Sequence, residues 1–308
     1  MGNLWRVGLL TVAVSLGSVF GFQELAAQRG QPFPETQTRE FFQRTRQELK
    51  VHYIQGGQPG PTLLIIAGIH GDEKASCLTA ERYADVKLLK GNLIVVPRLN
   101  APAIKAGKRQ GLGGDMNRLF GLSSGSANPD AKVINLAKQL IRQSDYVLNL
   151  HQGYDFYNPR WISRQRNPSK WGQSNVIDTA TYHLPSGQKL ELGQYARQVV
   201  HRANRSIPNG NYHFEVNNTN TAVKWSRHRE QKGSLTYYSL YNQQKIALGL
   251  EATKNCTLAE AVAYLTIAIN AAIEEAGIQA EALPSESEPP VGLQQAKVKP
   301  PSKIKRKG

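Results

Sequence analysis

Thr62-Leu63-Leu64-Ile65-Ile66-Ala67-Gly68-Ile69-His70-Gly71-Asp72-Glu73 is the stretch on which the fold turns. Its first six residues form a continuous apolar, partly β-branched run, as in a central strand covered on both faces. Gly68 ends the run, a His and a Glu follow three residues apart, and helical spacing then continues to about Tyr83. Working outward, the same layout recurs. Asn92–Pro97 is a second buried run, Asp145–Leu150 is a third that stops at His151, and Ile246–Leu250 is a fourth that stops at Glu251. Helical patterns lie between and after them, over Pro129–Gln143, over Leu190–Arg205, and from the capping-box sequence Thr257-Leu258-Ala259-Glu260 to near Gly277. Leu49–Ile54 alternates as a strand, Asn100–Ala106 reads as a short helix or loop, Gln110–Gly114 is glycine-rich, and Tyr154–Pro185 looks irregular. Strands alternating with helices predict an α/β fold, with a mixed, mostly parallel twisted sheet and helices on both faces. In such sheets ligands sit at the carboxyl ends of the strands, where His70, His151 and Glu251 fall.

The 308 residues suffice for one large α/β domain or two modest ones. Within residues 1–27 a short start carrying Arg6 precedes the uncharged run Val7–Phe22 and the small residues Ala26-Ala27, the layout of a secretory leader. An uncleaved N-terminal anchor is the alternative, and either one implies export to the periplasm or secretion. Residues 28–48 read as a polar lead-in, 49–278 as the catalytic domain, and 279–308 as a disordered tail that turns acidic, then rich in proline and lysine. The net charge of +15 favours acidic partners, and part of it lies in this tail, which offers weak contact with an anionic wall or membrane. No nucleic-acid-binding motif accompanies the charge, so nucleic acid is not expected. Cys77 and Cys256 are the only cysteines, which excludes a dense disulfide framework and a Cys-rich zinc site; one disulfide or two free thiols both remain open. Oligomeric state is not legible.

His70 and Glu73, just after a buried strand, bring an imidazole and a carboxylate to one point, and His151 supplies a third ligand from another strand end. Two His and one Glu form a known catalytic zinc set with one position left open, so a single Zn²⁺ is the expected cofactor. Glu251, ending an apolar run, should be partly desolvated, with a raised pKa and the capacity to take a proton from metal-activated water. Asp115-Met116-Asn117-Arg118 follows the glycine-rich loop. Arg118 offers a planar fork and Asn117 an amide donor for a carboxylate, and Arg109 can bind a carboxylate or stabilise an oxyanion.

His70-x-x-Glu73, Asp115-Met116-Asn117-Arg118, His151 and Glu251 together resemble the zinc carboxypeptidase superfamily, with Met116 where that family has Leu. The segment from Asn100 through Arg109 to Phe120 resembles its succinylglutamate desuccinylase/aspartoacylase branch. Gln152–Tyr157, Asn167–Ser174 and Ile177-Asp178 resemble periplasmic peptidoglycan DL-carboxypeptidases that trim muramyl tripeptides in helical and curved bacteria. Some of those replace the first zinc His with Gln; this chain keeps His70. The resemblance implies a zinc carboxypeptidase-like fold and a zinc metallocarboxypeptidase acting on muropeptides in cell-wall remodelling and cell shape. Glu251 and Arg109 are the implied catalytic residues, with Arg109, Asn117 and Arg118 at the substrate carboxylate. A tyrosine near the leaving group occurs in relatives, but Tyr237, Tyr238 and Tyr241 are not distinguishable, and Trp161 and Trp171 suit a pocket wall, core or surface equally. The rival readings are a zinc amidohydrolase of N-acyl amino acids and a non-catalytic wall-binding protein.

Overall fold

The computed structural model describes residues 33–285. The leader expected over residues 1–27 and most of the tail expected from 279 onward, residues 286–308, lie outside them. Nine strands form the main sheet: β1 (Gln37–Phe41), β2 (Leu49–Gln55), β3 (Gln58–Ile66), β4 (Leu88–Val96), β5 (Tyr146–Gly153), β6 (Ser174–Ile177), β7 (Glu215–Asn218), β8 (Ile246–Thr253) and β9 (Gln279–Ala280). The spatial order is β1-β2-β4-β3-β5-β8-β6-β7, with β9 pairing β4. The centre is parallel, β4 with β3, β3 with β5, and β5 with β8, whereas β1, β2, β9 and the β8–β6 junction pair antiparallel.

The apolar run of β3 behaves as its composition demands. Leu63, Leu64, Ile65 and Ile66 are fully buried, each contributing about 2 kcal/mol relative to exposure. Their side chains alternate between faces. Leu63 and Ile65 join a core with α1 (Lys74–Glu81), α4 (Leu192–Arg205) and α6 (Leu258–Glu275), and Leu64 and Ile66 join a second core with α3 (Ala131–Arg142). The remaining helices are a short α2 (Ala101–Ala106), capped by the Asn100 side chain, and α5 (Leu235–Tyr241), capped by Ser234. Thr257 and Glu260 form the reciprocal capping box that starts α6.

Several local expectations are corrected. The polar lead-in contains an edge strand, because Gln37–Phe41 pairs in full register with Leu49–Tyr53. The irregular stretch contains β6, which sits deep in the sheet beside β8. Residues just past Gly277 still belong to the fold, since Gln279–Ala280 hydrogen-bonds along β4. Pro129 precedes α3 rather than opening it. Of the two possibilities left open for Cys77 and Cys256, the structure has two free thiols, which is no correction.

Candidate active site

Three adjacent parallel strands deliver the chemistry. Ile66 at the end of β3 pairs with Asn149 on β5, and His151, two residues on, pairs with Glu251 on β8. Paired residues project from the same face, so His151 and Glu251 stand side by side. His70 and Glu73 arrive through the turn after β3. Gly68 has φ +70° and its Cβ position is crowded by Cys77 and Ile104, so only glycine suits that bend. Gly71 is pressed against α2, where an added Cβ would lie 2.0 Å from the carbonyl of Ala103.

One carboxylate joins two imidazoles. Glu73 Oε1 lies 2.8 Å from His70 Nδ1, and Oε2 lies 2.8 Å from His151 Nδ1. All three side chains are buried, and one ligand atom from each lies within 4.8 Å of the others. Two imidazole nitrogens and a carboxylate oxygen are a donor set suited to zinc, whose ligands sit about 2 Å from the ion, and three donors leave a position for substrate or water. Among the described residues this is the one cluster of three such groups. His70 Nε2 is held by Asp115 Oδ1 at 3.0 Å, the carboxylate–histidine contact that fixes which nitrogen faces a metal.

The protonation pattern follows from these contacts. Burial opposes the charge on His70, but hydrogen bonds to Asp115 and Glu73 outweigh it and push the imidazole up to about 9. His151 has one carboxylate partner only, and burial dominates and lowers it. Burial would raise Glu73, yet the two imidazoles hold it well below the usual carboxylate range. Glu251 has no hydrogen-bond partner among the described residues; burial and then the nearby Glu73 charge push it up to about 8.

The residues expected to bind a carboxylate converge on the same place. Arg109 donates from Nε to Asp115 Oδ2 at 3.1 Å and from Nη1 toward Glu73 at 3.4 Å, while remaining 46 % exposed. Asn117 sits on a single 3-10 turn that the Asp115 side chain caps. Its Oδ1 accepts from Leu235 N at 3.0 Å, and its Nδ2 lies 3.4 Å from His151 Nε2. Arg118 Nη1 donates to the Asn117 carbonyl and to Gln231 Oε1. Sequence reasoning assigned no role to Asp115, whose contact with His70 spans 45 positions; its place before Met116 was the only available signal. Tyr237 and Tyr241 stack on each other, and Tyr238 packs on Phe120 and Lys138. Trp161 is 70 % exposed, whereas Trp171 is half-buried against His228.

Residues 46–282 match the family described as carboxypeptidase controlling helical cell shape, catalytic. The chain belongs to this family. The cell-shape carboxypeptidase fold is also seen in the cell shape determinant protein Csd4 of Helicobacter pylori, whose apo structure superposes with TM-score 0.69 at 28 % identity, covering 78 % of this chain and 57 % of that one. The mDAP-bound form of Csd4, described as a D,L-carboxypeptidase, gives TM-score 0.66 at 31 % identity over 73 % of this chain and 54 % of that one. The chain thus spans little more than half of the Csd4 structures it matches. The N-alpha-acetyl-L-2,4-diaminobutyric acid deacetylase of Halomonas elongata is 34 % identical over 115 residues, covering 34 % of this chain and 32 % of the deacetylase. A succinylglutamate desuccinylase/aspartoacylase from Rhodobacter sphaeroides shares the fold, with TM-score 0.53 at 18 % identity over 84 % of this chain and 70 % of that one. The α/β architecture and the family branch expected from the sequence are therefore both found.

Proposed function

We propose that this cell-shape carboxypeptidase is a zinc-dependent peptidoglycan DL-carboxypeptidase that removes the terminal residue of muramyl tripeptides in the periplasm. The observation that carries the reading is the pairing of an unpartnered Glu251 with a buried His70–Glu73–His151 trio. The Csd4 structures described with tripeptide and with mDAP bound support the substrate class. The leader-like start supports export, and among the described residues no helix is long and apolar enough to cross a membrane.

His70, Glu73 and His151 would hold the ion, which when bound supplies Lewis acidity to a carbonyl and lowers the pKa of water. Glu251 then does the proton work. A cation beside it favours the ionised form, so the carboxylate takes a proton from the attacking water and passes it to the leaving amine. Arg109 keeps N–H groups without a protein partner among the described residues and can donate to the developing oxyanion. Asn117 and Arg118 hold the free terminal carboxylate, which restricts cleavage to the last residue. Asn117 Nδ2 can donate to His151 Nε2 only while the imidazole proton sits on Nδ1. With the proton on Nε2 instead, the Asn117 amide would be free to donate to substrate.

Mass spectrometry of purified muropeptides incubated with the metal-loaded protein, beside a chelated control, tests this. Chelator-sensitive conversion of tripeptide to dipeptide is the expected result, and absence of conversion with zinc bound overturns it. The local likeness to a deacetylase favours N-acyl amino acid hydrolysis as the second reading, and acetyl- and succinyl-amino acids belong in the same assay.

A further inference from the structure

Two loops beside the site carry an unusual surface. Residues 158–171 contain Arg160, Arg164, Arg166 and Lys170 with no acidic residue, and residues 222–232 contain Lys224, Arg227, Arg229 and Lys232 with one, Glu230. Lys170 pairs with Asp155, and Arg166 lies over the Phe156 ring. The other six cations make no ion pair among the described residues and are exposed. Large apolar groups stand among them: Trp225 is 83 % exposed, and Trp161 and Ile162 are adjacent and exposed. Single exposed hydrophobics are ordinary, but two tryptophans set among unpaired cations mark a contact surface.

The loops are joined to each other and to the site. Trp171 meets His228 edge-on with centroids 5.1 Å apart, so the first loop touches the second. Gln231 of the second loop accepts from Arg118, beside the carboxylate anchor Asn117, and Gly233 lies against the Arg118 backbone. The basic and aromatic surface therefore runs outward from the point where a peptide carboxylate would be held.

We propose that these two loops form a docking strip for the polymer that carries the substrate: a glycan strand bearing carboxylate-rich stem peptides. The inference rests on the muropeptide reading above. Unpaired Arg and Lys side chains complement the carboxylates of neighbouring stems. Tryptophan faces, apolar yet tolerant of water at their edges, suit the C–H faces of sugar rings. The strip would keep the enzyme on polymeric wall while the catalytic site handles one stem end.

Co-sedimentation of the full chain with purified sacculi, under chelation so that no cleavage intervenes, tests the strip. Wild type should sediment, and more weakly as salt rises. Trp161→Ala/Trp225→Ala and Arg160→Gln/Arg164→Gln/Arg227→Gln/Arg229→Gln should each lose roughly tenfold in affinity. With zinc restored, both variants should cleave soluble tripeptide as wild type does and lose activity on sacculi alone. Wild-type sedimentation by both variants overturns the proposal. So does binding to phosphatidylglycerol vesicles in place of sacculi, and so does an equal loss of turnover on soluble tripeptide. Failure of wild type to cleave any tripeptide counts against the catalytic reading, while the chelated sedimentation still decides the strip.

Discussion

Glu251 and His151 are direct cross-strand partners at the carboxyl ends of two parallel strands, and only His151 is hydrogen-bonded. A half-buried carboxyl without a donor, beside the His70–Glu73–His151 cluster, fits the proton-transfer role proposed for it better than a role in stabilising the fold. Glu251→Gln keeps the shape and removes the proposed base. Turnover should fall by about 10²–10⁴-fold, while zinc content, measured by atomic absorption, stays at one ion per chain. Substantial activity in this variant excludes Glu251 as the base.

Metal uptake should depend on pH over an unusual window. His70 is raised to about 9 by Asp115 and Glu73 against burial, so the metal-free protein holds a proton there across neutral pH. An ion must displace it. The sign follows: its folded pKa lies above the unfolded value of 6.5, so the proton's contribution to apo stability is full below 6.5 and lost as pH rises through about 9. Zinc affinity therefore climbs up to about pH 9, by roughly tenfold per unit. Competition with a chromophoric chelator measures this, and a plateau already reached near pH 6.5 would contradict it.

How much of this was legible in the sequence depends on how each contact is made. β3, β5 and β8 announce themselves because strands covered on both faces must be continuously apolar where they are buried; the turn after β3 delivers His70, and the carboxyl-terminal parts of β5 and β8 carry His151 and Glu251. β6 and β7 were missed because Ser-Asn-Val-Ile and Glu-Val-Asn-Asn are only four residues long, the first half polar and the second mostly so. Their identity as strands lies in pairing with β8 and with each other, which no local window contains. β1 was missed because an exposed edge strand needs no apolar face. α5, Leu-Thr-Tyr-Tyr-Ser-Leu-Tyr, is seven residues of weak helix formers held by its Ser234 cap and by burial. The His70–Glu73–His151 cluster was legible as residue types in a spacing; the contact of His70 with Asp115 was not, because it is tertiary.

That support gives a third expectation. Asp115 accepts from His70 Nε2, caps the turn carrying Asn117, and receives Arg109. Asp115→Asn preserves much of the cap but removes the charge behind His70. Zinc affinity should drop by about 10–100-fold, and KM should rise as Arg109 loses a partner. Unchanged affinity in the same chelator competition would show that His70 needs no such support.

Asp178 offers a test of fold energetics away from the metal. It is buried directly after β6, and burial pushes it up to about 6 against the opposing influence of the Thr221 and Thr236 hydroxyls. No cation contributes to its balance. A carboxyl with a folded pKa above its unfolded value binds its proton more tightly in the native state. Its favourable contribution is thus complete below about 3.8 and is lost as pH rises through about 6. At neutral pH the protein carries the cost of an ionised, unpaired group. Asp178→Asn removes that cost while keeping the size and an acceptor oxygen. Its stability relative to wild type should improve by about 1–3 kcal/mol above pH 7, and the gain should vanish below pH 4. Urea unfolding at both pH values, on metal-free protein, measures the difference. A variant less stable than wild type at neutral pH would mean that the two threonine hydroxyls stabilise the carboxylate by more than its burial costs.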